Sequence, residues 1–297
     1  MNNNADALLF TRKAAPKRRS LVRSHRRIRI RDILLARLSA QRFDMRENMP
    51  QSFSITDIGL RREMNQDYIF ASDTPLGSLP CLYLVADGMG GHRAGDLASK
   101  LTVETVVSQV VSTIGMEPEE LLSDAFRMAN SEIIETAARH REYYGMGTTL
   151  VGCTICGDEL LVANVGDSRL YNYKDGFRQI TVDHSLVEEM VRAGTLDRKY
   201  ARIHPERNVI TRAIGAEQHM DVDFFRLPLS ECGLILMCSD GLTSMIDDDE
   251  IESVLAGDSS LKEKASALVA RANSAGGKDN ISVILVDTSR DADGTAL

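Results

Sequence analysis

Short apolar or alternating runs, each closed by Gly, Asp or Asn, constrain the fold of this chain more than any other feature. Such runs are typical of β-strands, and from Ser52 onward they recur along most of the sequence. The links between residues 148 and 181 are short, which favours antiparallel pairing because parallel strands need a long crossover. We predict strands at 52–58, 67–71, 81–86, 148–155, 159–165, 168–173, 176–181, 221–227, 232–238 and 281–287.

Apolar residues at helical spacing predict helices between these strands. Leu97 and Leu101 share one helical face, and Leu121, Ala125 and Ala129 share another. The predicted helices are at 93–114, 117–140, 185–193 and 261–274. Two packed sheets with helices outside bury both faces of each sheet. The sequence therefore predicts an α+β fold, a β-sandwich of two mainly antiparallel sheets flanked by helices.

Charge divides the chain into two unequal parts. The first 48 residues hold 13 Lys and Arg against 4 Asp and Glu, whereas the remainder holds 22 against 39. A body this acidic is a poor nucleic-acid binder. We expect a basic, flexible extension at 1–50, one catalytic domain at 51–290 and a short tail at 291–297. For the extension, a membrane-surface or partner-binding helix, an organelle presequence and a start at Met45 or Met49 stay open.

Cysteine usage and hydropathy indicate a cytoplasmic protein. The five cysteines are an odd number, and most lie in or beside apolar runs, as reduced, buried thiols do. Cys153 and Cys156 form a CxxC pair, but no second pair completes a zinc site. No apolar stretch reaches the roughly 18 residues of a membrane span, and no signal peptide is visible.

Five aspartates lie at strand ends or in glycine-marked turns, where a sandwich would gather them at one edge of its core. Each alone is most simply a turn residue or a helix cap. Together they would repel one another unless cations neutralised them. Oxygen ligands without His or Cys favour Mg²⁺ or Mn²⁺ over zinc. The five are Asp67, Asp87, Asp167, Asp240 and Asp279.

Several longer motifs occur in one order across about residues 52–287: "RREMNQD", "VADGMGGHRAGDLAS", "GMGTTLV", "ANVGDSRLY", "TVDHSLVEEMVRAG", "HPERNVITRAIG", "CSDGLTSMI" and "GGKDNISVILV". In this set the chain resembles the metal-dependent Ser/Thr protein phosphatases of type 2C, in their bacterial form. The resemblance implies hydrolysis of phosphoserine and phosphothreonine on proteins that a Ser/Thr kinase has phosphorylated. It also implies a binuclear Mn²⁺ or Mg²⁺ centre, where a shared water of lowered pKa attacks phosphorus in line.

The resemblance assigns roles to individual residues. Asp87 would bridge both ions, with the Gly88 carbonyl oxygen as a further ligand. Asp240 and Asp279 would hold one ion and Asp67 the other. Asp167 would join Asp240 at a third, weaker site.

Two more residues would act beside the ions. Arg62 matches the arginine that binds phosphate, and Arg61 beside it is the alternative. Asn280 would orient the ligands through hydrogen bonds.

The chain also departs from the family. Met89 stands where some relatives have a histidine, which leaves His92 as a candidate general acid if its loop folds back, or metal-bound water instead. Ser244 replaces an acid that many relatives use at the third site. Residues 183–220 correspond to a mobile flap, and within it we interpret Asp183 and His184 as a structural cap and a surface histidine, with a catalytic base pair as the alternative.

Three other functions account for less of the sequence. A sensor module that has lost its chemistry would lack a metal aspartate, and the four main ones are present. A nucleic-acid-binding protein would depend on the basic extension and show a steep salt dependence. A small-molecule phosphomonoesterase would share the same chemistry.

Overall fold

Eleven strands form two sheets in the computed structural model, which describes residues 50–90 and 94–289. The strands are β1 (Gln51–Asp57), β2 (Asp67–Ser72), β3 (Leu82–Met89), β4 (Gly147–Thr148), β5 (Leu150–Cys156), β6 (Glu159–Val165), β7 (Arg169–Tyr173), β8 (Phe177–Gln179), β9 (Asp223–Pro228), β10 (Leu234–Cys238) and β11 (Ile281–Asp287). One sheet has the order β1-β11-β10-β7-β8 and the other β2-β3-β5-β6-β9, with β4 beside β3. All of these pairings are antiparallel.

Helices cover the outer face of each sheet. The α-helices of the described residues are α1 (Ala94–Ser112), α2 (Pro118–Arg139), α3 (Leu186–Arg192), α4 (Arg198–Ala201), α5 (Asp240–Thr243), α6 (Asp248–Leu255) and α7 (Leu261–Ser274). Helices α1 and α2 pack on the sheet that contains β3, and α5, α6 and α7 pack on the sheet that contains β10. The predicted sandwich flanked by helices is confirmed.

Strand alternation separates three layers of core. On β3, Leu82 and Leu84 face the α1–α2 layer, whereas Tyr83 and Val85 face the other sheet. By the same alternation, Asp87 continues the row that points between the sheets. The apolar core between the sheets therefore ends, at this edge, in a carboxylate.

Most predicted elements match the observed ones within a few residues, which is the usual uncertainty of an element boundary. The strand predicted at 176–181 is shorter and spans Phe177–Gln179. Three short helices, α4, α5 and α6, were not predicted because each is too short to show a clear period.

Two predictions are limited by the range that the structure covers. The interpretations of the basic extension and of the tail after Ser289 lie outside the described residues. Within residues 50–90 and 94–289, no helix is both long enough and apolar enough to cross a membrane.

Candidate active site

Asp67 and Asp87 lie directly opposite each other on the antiparallel strands β2 and β3. Like charges at opposed positions destabilise a sheet, so this pair needs a compensating partner. Asp67 is buried, whereas Asp87 is partly exposed at the open edge of the sandwich.

A serine from the other sheet reaches this pair. Ser239 Oγ donates a hydrogen bond to Asp67 Oδ2 at 2.7 Å and accepts one from the Ser282 backbone nitrogen at 3.0 Å. Burial and the neighbouring charges of Asp240 and Asp279 raise the pKa of Asp67 to about 7, although the bond from Ser239 opposes this change. The two sheets are thus joined at a carboxyl group that is costly to ionise.

Two threonines fix the backbone of Asp87. The Asp87 backbone nitrogen donates to Thr149 Oγ1 at 3.0 Å, and the Asp87 carbonyl oxygen accepts from Thr148 Oγ1 at 2.8 Å. Burial and the charges of Asp67 and Asp240 raise the pKa of Asp87 well above its usual range. Asp87 is therefore held in place where a negative charge is unfavourable.

Two further aspartates follow strands at the same edge. Asp240 begins helix α5 directly after β10, and Asp167 lies in the turn between β6 and β7. Burial and the charge of Asp279 raise the pKa of Asp240, and burial and the charge of Asp240 raise that of Asp167. These shifts show that the carboxylates at this edge interact with one another.

Asp279 pairs with Arg62, which lies in the loop after β1. Arg62 Nη2 donates to Asp279 Oδ2 at 2.6 Å, and 47% of the Arg62 side chain stays exposed. Asn280 holds this loop, because its side chain donates to the carbonyl oxygens of Ile58 and Met64 at 2.9 and 3.0 Å. The loop that carries Arg62 is thereby tied to the residue after Asp279.

Two glycines permit the close packing of these turns. A Cβ at Gly88 would lie 2.1 Å from the carbonyl oxygen of Gly95, and one at Gly241 would lie 1.8 Å from that of Asn280. Neither position has room for a side chain. Gly241 therefore brings the start of α5, with Asp240, against the turn that contains Asp279.

The oxygens at this edge fit a hard divalent cation. Asp67 Oδ1, Asp167 Oδ1 and Asp240 Oδ1 are buried without a hydrogen-bond partner. Buried polar atoms of this kind call for an ion or a water. Across the described ranges, no three His, Cys, Asp or Glu side chains already surround one point as ligands, so the fit rests on the chemistry of the oxygens.

Sequence comparison identifies the family. The pattern described as Protein phosphatase 2C matches residues 61–285. This chain belongs to the protein phosphatase 2C family.

Relatives of this phosphatase agree with that assignment. The serine/threonine phosphatase stp of Listeria innocua is 42% identical over 69% of this chain and 84% of its own length. The structure of the serine/threonine phosphatase Stp1 from Staphylococcus aureus superposes with a TM-score of 0.77 at 31% identity, covering 84% of this chain and 99% of that one. The prediction of a Ser/Thr protein phosphatase of this family is confirmed.

A third relative was solved with metal. The catalytic domain of the serine/threonine protein phosphatase PstP, in complex with two manganese ions, superposes with a TM-score of 0.70 at 30% identity. The match covers 80% of this phosphatase and 98% of that chain.

Most residues predicted for the site of this phosphatase lie together. The structure brings Asp67, Asp87, Asp167, Asp240 and Asp279 to one edge of the sandwich, with Arg62 and Asn280 beside them. Gly88 follows Asp87 on β3. His92 lies outside the described residues, so its role as general acid stays a prediction.

The interpretation of His184 as a surface residue is wrong. His184 is buried, with 7% of its surface exposed. Asp183 does not cap a helix either, since it accepts bonds at 2.9 and 2.7 Å from the Arg169 guanidinium and Ser185 caps α3 instead. The polar sequence "TVDHS" gave no sign of this burial because its partners come from distant segments.

Sequence reasoning also missed the supporting residues Thr149 and Ser239. Each precedes or follows a motif residue, as in "GMGTTLV" and "CSDG", but their contacts depend on the pairing of strands. For Ser239 the available signal was a hydroxyl next to Asp240 at a strand end, whereas Thr149 has no aspartate beside it in the sequence.

Proposed function

We propose that this phosphatase removes phosphate from phosphoserine and phosphothreonine in proteins, using two Mn²⁺ or Mg²⁺ ions held at the edge of the sandwich. The observation that carries this proposal is the set of buried, unpartnered oxygens on Asp67, Asp167 and Asp240 around the opposed pair of Asp67 and Asp87. The names of the relatives support the choice of substrate, and the two manganese ions of the PstP structure support the metals.

Each carboxylate has a proposed part in holding the ions. Asp87, with the Gly88 carbonyl oxygen, would contribute to holding both ions. Asp240 and Asp279 would hold one ion, and Asp67 would hold the other. Two divalent ions at such a site lower the pKa of water and neutralise the charge on a phosphoryl group.

Asp167 and Asp240 form the proposed third, weaker site. Burial and then the charge of Asp240 raise the pKa of Asp167, and the second cause is expected for two neighbouring carboxylates. Ser244 lines the same cavity but offers no carboxylate. The lack of a carboxylate at position 244 supports weak binding of a third ion.

Arg62 is the proposed phosphate-binding residue. Its side chain is half exposed, and its guanidinium has further N–H groups besides the one bonded to Asp279. A guanidinium can bind two phosphate oxygens at once, and its position beside Asp279 places it next to the cluster. Asn280 orients both, since it holds the Arg62 loop and follows Asp279.

The thiols nearest the core do not support a cysteine phosphatase. Burial raises the pKa of Cys153 and of Cys238 well above the usual range, and a thiol must ionise to attack phosphorus. Hydrolysis by water, which needs no nucleophilic side chain, fits these buried thiols better than attack by a cysteine.

The substrate polypeptide is proposed to lie in the cavity beside this edge. The cavity measures about 420 Å³ and is bordered by Asp167 and Asp240 on one side and by residues 183–208 on the other. The phosphoprotein substrates of this phosphatase would be products of a Ser/Thr kinase in the cytoplasm. The acidic domain is not expected to bind nucleic acid.

Phosphate release from a panel of phosphoserine, phosphothreonine and phosphotyrosine peptides tests this proposal. We expect release from the first two with Mn²⁺ or Mg²⁺ and none in excess EDTA. Release from aryl phosphate alone would favour a small-molecule phosphomonoesterase. A protein that binds phosphopeptides but releases no phosphate would favour the sensor module.

A further inference from the structure

His184 is a buried side chain between the turn that carries Asp167 and the start of β9. Its Nδ1 lies 3.0 Å from the backbone nitrogen of Gly166, and its Nε2 lies 3.1 Å from Asp223 Oδ2. Gly166 directly precedes Asp167 in the chain. The imidazole therefore joins two segments that are far apart in sequence.

The bond to Gly166 fixes the tautomer of His184. A backbone nitrogen can only donate, so Nδ1 carries the lone pair and Nε2 carries the proton. Nε2 then donates to Asp223. Arg212 Nη1, at 3.1 Å from Nε2, donates instead to Asp223 Oδ1 at 2.6 Å.

Burial is the main cause that lowers the pKa of His184, and a lowered pKa favours the neutral ring. The charged groups around the ring are Asp223, Arg212 and Asp183. Asp183 is held by Arg169, and Asp223 by Arg212.

Backbone bonds reinforce the same junction. The His184 backbone nitrogen donates to the Gly166 carbonyl oxygen at 3.0 Å, and the His184 carbonyl oxygen accepts from Thr211 at 2.9 Å. Both ends of the segment 183–211 thus meet at His184.

Gly166 in turn contacts the residue that supports Asp87. Its φ is +108°, and a Cβ there would lie 2.6 Å from Thr149 Cβ. Thr149 Oγ1 accepts from the Asp87 backbone nitrogen. Gly166 is therefore held between His184 and Thr149, and its position sets that of Asp167.

We propose that His184 is a positioning residue: through Nδ1 and Gly166 it holds Asp167 towards Asp240, and through Nε2 and Asp223 it ties this turn to the segment 183–223. The inference rests on the proposed function in one respect, the role of Asp167 as a ligand of the weaker cation. It assigns His184 no contact with substrate and no proton transfer.

Three substitutions separate the two bonds of the ring. His184→Asn keeps an acceptor where Nδ1 lies but cannot reach Asp223, whereas His184→Gln keeps a donor near Nε2 and loses the acceptor for Gly166. His184→Ala removes both. Binding of Mn²⁺ is measured by electron paramagnetic resonance, kcat and KM with p-nitrophenyl phosphate, and the thermal midpoint in EDTA.

We expect His184→Gln and His184→Ala to reduce the Mn²⁺ affinity of the weaker site about tenfold or more. Both should lower kcat at moderate Mn²⁺ more than they change KM. His184→Asn should stay within about threefold of the unmodified protein, because Asp167 keeps its support.

The proposal would be overturned if the Asn and Gln variants bound Mn²⁺ equally. It would also be overturned if the losses of Mn²⁺ affinity and of kcat simply followed the fall in thermal midpoint. If His184→Gln does not fold, the Asn variant decides: binding as weak as in His184→Ala overturns the inference, and binding near that of the unmodified protein supports it. Failure of the unmodified protein to release phosphate from any peptide would reject the function, whereas the Mn²⁺ titrations would still decide the role of His184.

Discussion

Arg62 Nη2 lies 2.6 Å from Asp279 Oδ2, so the proposed phosphate-binding group and a proposed metal ligand are in direct contact. The two residues are 217 positions apart, and Asn280 brings their loops together. Because most of the guanidinium fork is still available, Arg62 can turn to a phosphate without unfolding its loop.

Substitution of Arg62 by Ala should weaken substrate binding and leave metal binding intact. We expect KM for p-nitrophenyl phosphate to rise at least about tenfold, with a fall in kcat if the contact tightens in the transition state. Arg61→Ala is the matched control, since Arg61 is exposed beside it. A normal KM in Arg62→Ala, or an equal rise in Arg61→Ala, would contradict the assignment.

The metal-free protein should lose stability as pH rises. The pKa of Asp67 is about 7 in the folded protein and its ordinary value is 3.8, so the folded state holds a proton that the unfolded state releases. Stability is then fully present below pH ~4 for this group and declines until pH ~7. In EDTA we expect the thermal midpoint to fall by at least ~2–4 °C between pH 5 and pH 8, the shift for about 1 kcal/mol.

Two additions check the origin of this pH dependence. Mn²⁺ should raise the midpoint more at pH 8 than at pH 5, because ionised carboxylates bind it. Asp67→Asn should flatten the dependence in EDTA. A midpoint that rises with pH between 5 and 8 in EDTA would contradict the raised pKa.

Gly241→Ala should damage the site through its backbone. A Cβ there would lie 1.8 Å from the Asn280 carbonyl oxygen, so α5 and the turn of Asp279 must separate. We expect a loss of activity of at least about tenfold together with a lower thermal midpoint. Gly257→Ala is the control, since its Cβ would meet nothing closer than 3.6 Å. Equal effects of the two substitutions would show that the contact is unimportant.

Removal of residues 1–48 should leave hydrolysis of a small aryl phosphate nearly unchanged. Strand β1 begins at Gln51, and the proposed site residues all come after it. Activity of the shortened chain at saturating Mn²⁺ is the measurement. Loss of folded protein would show that this segment is part of the core.

Sequence pattern predicted the strands well because alternation of buried and exposed residues is local. It also indicated that the aspartates gather at one edge, since each lies at a strand end or in a glycine-marked turn. The pattern could not show that Asp67 and Asp87 are opposed, because register depends on which strands pair.

Contacts between distant segments explain what the sequence did not reveal. His184 looks like a surface residue in "TVDHS", but Gly166 and Asp223 enclose it. Ser239 gave no sign of its bond to Asp67, which joins the two sheets. The spacing of Arg62 from Asp67, matched to the family, favours Arg62 over Arg61 as the phosphate-binding residue. The contact of Arg62 with Asp279 could not be predicted from the sequence.

Turnover by Asp240→Asn, measured on a phosphothreonine peptide across a range of Mn²⁺ and in excess EDTA, tests the central claim most directly. The substitution keeps the shape of Asp240 and removes an anionic ligand. We expect no activity of the unmodified protein in EDTA, a fall in kcat of at least about 100-fold in the variant, and partial rescue by high Mn²⁺. Arg62→Ala should show no such rescue. Full turnover in EDTA, near-normal kcat in Asp240→Asn, or the same response of both variants to Mn²⁺ would contradict a metal centre built on these aspartates.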